Sequence, residues 1–227
     1  MRRMPGEPRN RRMQRAVVQL ILDRGLRSGT PLPTETELMA ALGAGRNSVR
    51  EALKALQALD IVEIRHGHGT FVGRASLTPL VDGLTFRALV RHADDAGATA
   101  EIREVRQALE EWLIRRVAGT LTEAELDRLD GLVDRMAAEG RAGRPVAELD
   151  RRFHQLLYAS LGNALVPELL DALWTVCHRV AGARARPDDP SPELTVHRHR
   201  AIITALRARD VEGAQRAMAV HFRGGEG

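Results

Sequence analysis

Apolar residues recur at helical spacing along nearly the whole of this 227-residue chain, and one short segment breaks the pattern. In that segment, residues 61–64 and 70–72 are rich in Ile, Val, Thr and Phe and flank a His-Gly-His-Gly sequence. Such β-forming residues around a glycine-rich turn are typical of a β-hairpin. No second segment of this kind follows residue 76. The sequence therefore predicts a mostly α fold that contains one hairpin.

Three helical patterns precede the hairpin. The first covers residues 11–26, and the second begins where Thr34 and Glu37 form a capping box, in which each side chain bonds the other residue's backbone N–H. The third runs from about Asn47 to Leu59, with apolar residues three and four apart along one side. Three short helices followed by a hairpin predict a winged helix-turn-helix, whose third helix enters the DNA major groove.

The remainder of the chain is predicted to be an all-α bundle of six or seven helices. We therefore divide the chain into residues 1–75, a winged helix-turn-helix domain with a basic N-terminal arm, and residues 76–227, an all-helical domain. A capping box at Thr122 and Glu125 begins one bundle helix, and Gly140 is predicted to end it. The helical patterns cover roughly residues 78–92, 99–118, 122–140, 145–161, 164–182, 192–208 and 211–222.

Charge is distributed unevenly between these two parts. The net charge of +4 divides into +6 for residues 1–75 and −2 for the rest. A basic module of this kind suggests nucleic-acid binding, although an arginine-rich composition alone is an alternative explanation. Charges interrupt every apolar run before the roughly 18 residues of a membrane span, and the N-terminus lacks the apolar stretch of a secretory signal. The single cysteine, Cys177, fits a reducing cytoplasm, which is the location we predict.

The beginning of the third helix and the hairpin tip carry the candidate DNA contacts. Arginine suits guanine edges and phosphates, asparagine and serine bond bases or backbone, and glycine lets the backbone approach the duplex closely. Ordinary exposed helix surface is the alternative for the helix residues, and a solvated tail is the alternative for the basic arm. The candidates are Arg46, Asn47, Ser48, Arg50, His66 and Gly67, with Arg2, Arg3, Arg9, Arg11 and Arg12 in the arm.

A second candidate site lies on the apolar faces of three bundle helices. Asp150 and His154 are four residues apart on the flank of one face, and His199 and His221 lie on the inward faces of two later helices. Buried carboxylates require a partner, and one Asp with three His would satisfy a divalent cation. Separately, an inward histidine is often a satisfied core residue and Asp-x₃-His is often a surface pair, so spacing alone leaves these alternatives open.

Three motifs of the N-terminal part resemble the DNA-binding domain of GntR-type bacterial transcription regulators. They are LPTE at residues 32–35, GRNSVREAL at residues 45–53 and HGHGTFV at residues 66–72, and the likeness covers about residues 11–73. The resemblance implies DNA contacts from Arg46, Asn47, Ser48, Arg50, His66 and Gly67. Many members have an arginine directly before the residue matching Glu37, whereas this chain has Thr36.

The C-terminal part is similar to the all-helical ligand domain of the FadR subfamily, over about residues 78–222. The motifs are RQALE at residues 106–110, DRRFH at 150–154, GN at 162–163, HRAI at 199–202, Asp210, and HF at 221–222. The resemblance implies Zn²⁺, Ni²⁺ or Mn²⁺ held by Asp150, His154, His199 and His221. It also implies a small organic or sugar acid as effector, and a helix before Glu101 favours the seven-helix form.

Arg106 is the candidate residue for binding that acid. It faces the inside of the predicted bundle, where a guanidinium needs an anion and suits a carboxylate. An internal pair between Arg106 and Glu110 is the alternative. Thr195, one turn before His199 on the same face, is the candidate hydroxyl partner for the acid.

Together these features predict a homodimeric, ligand-responsive, DNA-binding transcription regulator without enzymatic activity or catalytic residues. A two-fold dimer would bind a palindromic double-stranded operator. Two rival hypotheses concern the bundle. Asp and three His with open coordination positions are also compatible with a metal-dependent enzyme that activates water, and the metal is otherwise compatible with a purely structural role.

Overall fold

The computed structural model describes residues 9–91, 97–183 and 191–223. Two compact units are present, residues 1–79 and 80–227. In chain order the helices and strands are α1 (Arg9–Asp23), α2 (Glu35–Leu42), α3 (Arg46–Ala58), β1 (Val62–Arg65), β2 (Gly69–Val72), α4 (Thr78–Arg91), α5 (Gly97–Val117), α6 (Glu123–Arg141), α7 (Ala147–Leu157), α8 (Leu165–Ala183), α9 (Pro192–Arg207) and α10 (Val211–Phe222), with a short 3₁₀ turn, Ala159–Leu161. The predicted winged helix-turn-helix followed by an all-α part is confirmed.

The N-terminal unit packs α1, α2 and α3 around one apolar cluster and adds the hairpin beside α3. Strands β1 and β2 are antiparallel, with Val62 opposite Val72 and Arg65 opposite Gly69. The tip between them contains Gly67, whose φ of 77° lies in the left-handed region that glycine adopts without steric penalty. Among the described residues, the buried cluster consists of Val17, Ile21, Leu32, Leu38, Val49, Leu53, Leu56 and Val62.

Local chemistry determines where α2 begins and where it ends before α3. The hydroxyl of Thr34 accepts the backbone N–H of Glu37, and the Glu37 carboxylate accepts the backbone N–H of Thr34, so the predicted capping box begins α2. Gly43 ends α2 in the left-handed conformation at φ 58°. The chain then turns within three residues, and α3 begins at Arg46.

The helical unit is held together by its longer helices. Helix α10 packs against α9 and α5, α6 packs against α9 and α7, and α8 packs against α5 and α7. The core contains large, fully buried side chains such as Phe153, Leu157, Ile202 and Met218. These residues come from α7, α9 and α10, so the same three helices that build the core also present the polar residues described below.

Several helix ends differ from the sequence-based bounds; α1, for example, ends at Asp23 rather than at residue 26. Helix α6 continues through Gly140 to Arg141, and Gly143 adopts the left-handed conformation in its place. Helix α7 ends at Leu157, and its predicted last turn is instead the 3₁₀ turn before Gly162, whose φ is 68°. None of the helices in the described ranges is both long and apolar enough to cross a bilayer.

Candidate metal centre and nucleic-acid interface

Four polar side chains from three helices converge inside the helical unit. Asp150 and His154 come from α7, His199 from α9 and His221 from α10. One ligand-type atom from each lies within 4.8 Å of the other three. Asp150 Oδ1 is 3.1 Å from His199 Nε2, 3.6 Å from His154 Nε2 and 3.9 Å from His221 Nε2. The structure thus brings together all four residues of the predicted metal site.

Burial separates this group from an ordinary surface cluster. The side chains of His154 and His199 are 2% and 0% exposed, and those of Asp150 and His221 are 19% and 12% exposed. Phe153 packs edge-on against the His199 ring, with ring centroids 4.5 Å apart. Because little water reaches these atoms, each polar atom needs a protein partner or an ion.

The hydrogen bonds of His199 fix which of its nitrogens is the donor. Its Nδ1 lies 2.7 Å from the backbone carbonyl oxygen of Thr195, which only accepts, so Nδ1 carries the hydrogen and Nε2 presents a lone pair. That Nε2 faces the Asp150 carboxylate, another acceptor, and within the described part of the chain it has no hydrogen-bond partner. Two facing acceptors repel, so either a proton on Nε2 or a metal cation has to lie between them. The donor set therefore fits a divalent cation.

His221 adds to this fit. Its Nε2 is 3.2 Å from Nε2 of His154, and its Nδ1 is buried without a hydrogen-bond partner among the described residues. Burial and the positive charge available on His199 and His154 hold the pKa of His221 well below its usual value. His221 is consequently neutral, and a neutral imidazole is the form that coordinates a metal.

Opposing effects act on the charges of the two α7 residues. Burial would raise the pKa of the Asp150 carboxyl, but the hydrogen bonds that His154 and His199 donate when their Nε2 atoms are protonated outweigh burial and hold that pKa well below its usual value. Burial would lower the pKa of His154, but the charge of Glu110 outweighs burial and raises it. The group therefore contains a carboxylate that stays ionised in a buried setting, as a cation site requires.

Arg106, the predicted effector residue, is buried on α5 near this group. It is 8% exposed, its Nε donates to Oε1 of Glu110 at 2.6 Å, and its guanidinium carbon lies 5.3 Å from the Phe222 ring centroid. The internal pair with Glu110 is therefore present in this structure. Among the described residues, Arg106 makes no other hydrogen bond, so its two terminal nitrogens are not engaged by them.

Glu110 also contacts His154 of the four-residue group, a contact that the sequence reasoning missed. Its Oε2 accepts from Nδ1 of His154, while the backbone carbonyl of Glu110 accepts the hydroxyl of Tyr158 at 3.3 Å. Its side chain is completely buried. The available signal was an acidic residue one turn after Arg106 on the same inward face, but His154 lies 44 residues away in sequence.

Thr195 occupies the predicted place one turn before His199, and it is 5% exposed. Its contact with the group runs through its backbone carbonyl, which holds His199 by Nδ1. The structure therefore shows an orienting contact between Thr195 and a histidine, and the hydroxyl role toward the acid stays a prediction.

In the other unit, the start of α3 presents the predicted DNA contacts to solvent. Arg46, Asn47 and Arg50 are exposed and Ser48 is half-buried, whereas Val49 on the opposite side is completely buried. Arg50 Nε lies 3.4 Å from Oε1 of Glu35 at the start of α2. The N-terminal end of α3 is therefore free of core packing on the side that carries these donors.

The hairpin tip adds a second exposed element. His66 and Gly67 are both exposed between the two strands. Beside them, Arg65 lies 4.2 Å from the Phe71 ring centroid and bonds both oxygens of the Glu63 carboxylate. Of the basic arm, Arg11 and Arg12 are exposed on α1, whereas Arg2 and Arg3 and the side chain of Arg9 lie outside the described residues.

Two family models match the chain. Residues 10–72 match "Bacterial regulatory proteins, gntR family", and residues 101–224 match the FCD domain. The chain belongs to the gntR family of bacterial regulatory proteins. The GntR resemblance and the prediction of a DNA-binding transcription regulator rather than an enzyme are thereby confirmed.

Individual relatives of this GntR protein agree with that membership. The HTH-type transcriptional repressor NanR of Cronobacter sakazakii is 33% identical over 214 residues, covering 90% of this chain and 78% of the relative. The galactonate operon transcriptional repressor of Escherichia coli K12 is 25% identical, covering 83% and 82%. A solved structure of Streptococcus agalactiae GntR is 29% identical, with a TM-score of 0.66, and covers 94% and 96%.

Proposed function

We propose that this GntR protein is a transcriptional repressor whose operator binding responds to a small organic or sugar acid bound beside a divalent metal. In this proposal, residues 1–75 bind DNA, and residues 76–227 bind the effector and form the homodimer. The observation that carries it is the buried group of Asp150 and three histidines, joined through Glu110 to Arg106. Relatives named as repressors, one of them of a galactonate operon, support the sugar-acid class.

Six residues would contact the operator: Arg46, Asn47, Ser48 and Arg50 from α3, and His66 and Gly67 from the wing. The exposed donors at the start of α3 support base contacts, and the left-handed glycine at the tip supports close approach to the backbone. Because a repressor acts on chromosomal DNA, the proposal includes a cytoplasmic location.

The DNA part is tested with duplexes selected from a random library by the intact protein. We expect Arg50→Ala to weaken binding of the selected duplex by about 5- to 150-fold, which corresponds to the roughly 1–3 kcal/mol of a base contact. Arg128→Ala is the matched control, because it removes an exposed arginine of α6 and so the same charge. Equal affinities for the two variants would remove Arg50 from the set of contacts.

Asp150, His154, His199 and His221 would hold the metal. When bound, a divalent cation supplies positive charge and open coordination positions to which a carboxylate can bind. His199→Ala is expected to abolish the metal content of the purified protein, measured by inductively coupled plasma mass spectrometry. His197→Ala is the control, since His197 lies on the same helix but is exposed. Metal retained in the His199 variant would count against the site.

Arg106 and Thr195 would bind the acid. The terminal nitrogens of Arg106 offer two parallel donors to a carboxylate, and Thr195 is buried one turn before His199. A thermal-shift screen of small carboxylic acids, followed by DNA-binding assays with each acid that stabilises the protein, tests this role. If metal removal unfolds the protein and no acid ever stabilises it, the metal has a structural role instead.

A second copy of the chain would complete the regulator and match a palindromic operator. Several large apolar side chains of α4 and α5 are exposed, including Phe86, Val90 and Trp112 at 69%, 61% and 57%. Phe86 and Val90 lie four residues apart on α4, and neighbouring exposed apolar side chains of this size are typical of a surface that a partner covers. Light scattering of the intact protein is expected to give twice the chain mass of 25.0 kDa, and a mass equal to one chain would contradict the dimer.

A further inference from the structure

Glu110 lies between the two halves of the proposed effector site. It is completely buried on α5, and both oxygens of its carboxylate are used. Oε1 accepts from Nε of Arg106 at 2.6 Å, and Oε2 accepts from Nδ1 of His154. One carboxylate therefore touches both the arginine that would bind the acid and a histidine that would bind the metal.

We infer that Glu110 is a positioning residue that couples metal binding to acid binding. This inference rests on the proposed function of the site. Glu110 would orient the His154 ring for the metal and would also set how strongly the charge of Arg106 is available to an anion. Loss of its charge would then weaken the metal site without removing any metal ligand.

The orientation of His154 follows from hydrogen-bond chemistry. A carboxylate only accepts, so Nδ1 of His154 carries a hydrogen and Nε2 is left to face Asp150 Oδ1, 3.6 Å away, and His221 Nε2, 3.2 Å away, where a cation would take the place of its proton. A carboxylate behind a metal-binding histidine fixes the tautomer and increases the basicity of the ligand nitrogen. Glu110 has this relation to His154.

Metal binding and acid binding are coupled because one carboxylate bonds both His154 and Arg106. When Nε2 of His154 is bound to a cation, the Nδ1–H becomes a stronger donor. Its hydrogen bond to Glu110 strengthens, and the negative charge of Glu110 is drawn toward Oε2. Less of that charge then neutralises Arg106, and the terminal nitrogens of Arg106 bind an anion more strongly. Thermodynamic reciprocity requires the acid to increase metal affinity by the same factor.

A glutamine at this position cannot satisfy both neighbours. Arg106 Nε and His154 Nδ1 are both donors in this arrangement, whereas an amide offers one oxygen and one NH₂ group. One neighbour would face the NH₂ group and lose its acceptor. Glu110→Gln therefore removes the negative charge and also breaks one of the two contacts, at nearly unchanged side-chain volume.

The experiment measures Zn²⁺ affinity of the intact protein by competition with a chromophoric chelator, with no acid present. We expect Glu110→Gln to lower the affinity about 10- to 100-fold. Glu104→Gln is the matched control, because Glu104 is exposed on the same helix and its variant should bind Zn²⁺ as the wild type does. Arg106→Gln should raise the affinity, since it removes a buried positive charge and leaves Glu110 entirely to His154.

The opposite signs of the two buried variants distinguish coupling from a structural role, which would lower the affinity in both. Lowered affinity in Arg106→Gln, or unchanged affinity in Glu110→Gln, would overturn the inference. If Glu110→Gln fails to fold, as judged by circular dichroism, the sign of the Arg106→Gln effect decides. A wild-type protein that binds no Zn²⁺, Ni²⁺ or Mn²⁺ would instead refute the metal part of the proposed function.

Discussion

Replacement of Gly140 by alanine tests how closely α6 approaches α9, the helix that carries His199. A Cβ at Gly140 would lie less than 3.0 Å from Cβ of Pro192, a distance that real Cβ atoms essentially never show, and 3.4 Å from its Cγ. Pro192 is a ring at the start of α9 and offers no flexible side-chain end that can move aside. The two helices must therefore separate by roughly 1 Å to restore van der Waals contact.

Two effects of opposite sign determine the magnitude. Alanine in a helix interior is about 1 kcal/mol more favourable than glycine, whereas overpacking a close contact costs about 1–3 kcal/mol. Gly131 is the matched control, because it lies in the same helix and a Cβ there meets no atom within 4 Å. We expect Gly131→Ala to increase the free energy of unfolding by up to about 1 kcal/mol. Gly140→Ala should be less stable than Gly131→Ala by about 1–3 kcal/mol.

Urea unfolding followed by tryptophan fluorescence provides the assay. Both tryptophans of the chain, Trp112 and Trp174, lie in the helical unit, so the signal reports that unit alone. With a slope of about 2 kcal/mol per molar urea, the expected difference shifts the midpoint by about 0.5–1.5 M. Equal midpoints for the two alanine variants would refute the close approach of α6 to Pro192.

Two further predictions concern local contacts. Thr34→Ala should increase hydrogen exchange in α2, measured by mass spectrometry, because it removes the hydroxyl that accepts the backbone N–H of Glu37. Hydrogen bonds from Thr34 also lower the pKa of Glu37, so their contribution is present above the unfolded pKa and is lost as pH falls through the lower folded pKa. The Thr34→Ala effect should therefore shrink below that pH, because the hydroxyl then no longer donates to an ionised carboxylate, and an effect of unchanged size would contradict the assignment. Arg207 contacts three carboxylates of α6. Because salt screens exposed charges, Arg207→Ala should lower the free energy of unfolding of the helical unit more at low ionic strength than at about 1 M salt. An effect of Arg207→Ala that is independent of salt would be inconsistent with an exposed ion network.

Periodicity and capping predicted the elements well because both depend on neighbouring residues. The capping boxes at Thr34 and Thr122 and the hairpin around Gly67 appear where the sequence placed them. The end of α6 at Gly140 was wrong, since Gly140 is inside the helix and its lack of a side chain serves the contact with Pro192. Pro192 belongs to another helix, and rules based on neighbouring residues in the sequence cannot predict such a contact.

The candidate site shows the same limit. The inward faces of single helices identified Asp150, His154, His199 and His221 as candidates, and in the structure these four residues lie together. The pair of Arg106 with Glu110 lies within α5, and the sequence left it open because an inward arginine can equally bind an external anion. The contact of Glu110 with His154 depends on how α5 lies against α7, so the sequence missed it. Similarly, the contact between Arg50 and Glu35 depends on the angle between α2 and α3.

The four converging residues come from three different helices, and this affects how the helical unit assembles. Residues 150 and 221 are far apart along the chain, and a shared cation would cross-link them as a disulfide does, by removing freedom from the unfolded state. Only a chain with α7, α9 and α10 already in place offers all four donors at once. Tight metal binding would then report correct folding, and the fraction of protein loaded with metal would measure the fraction competent to regulate.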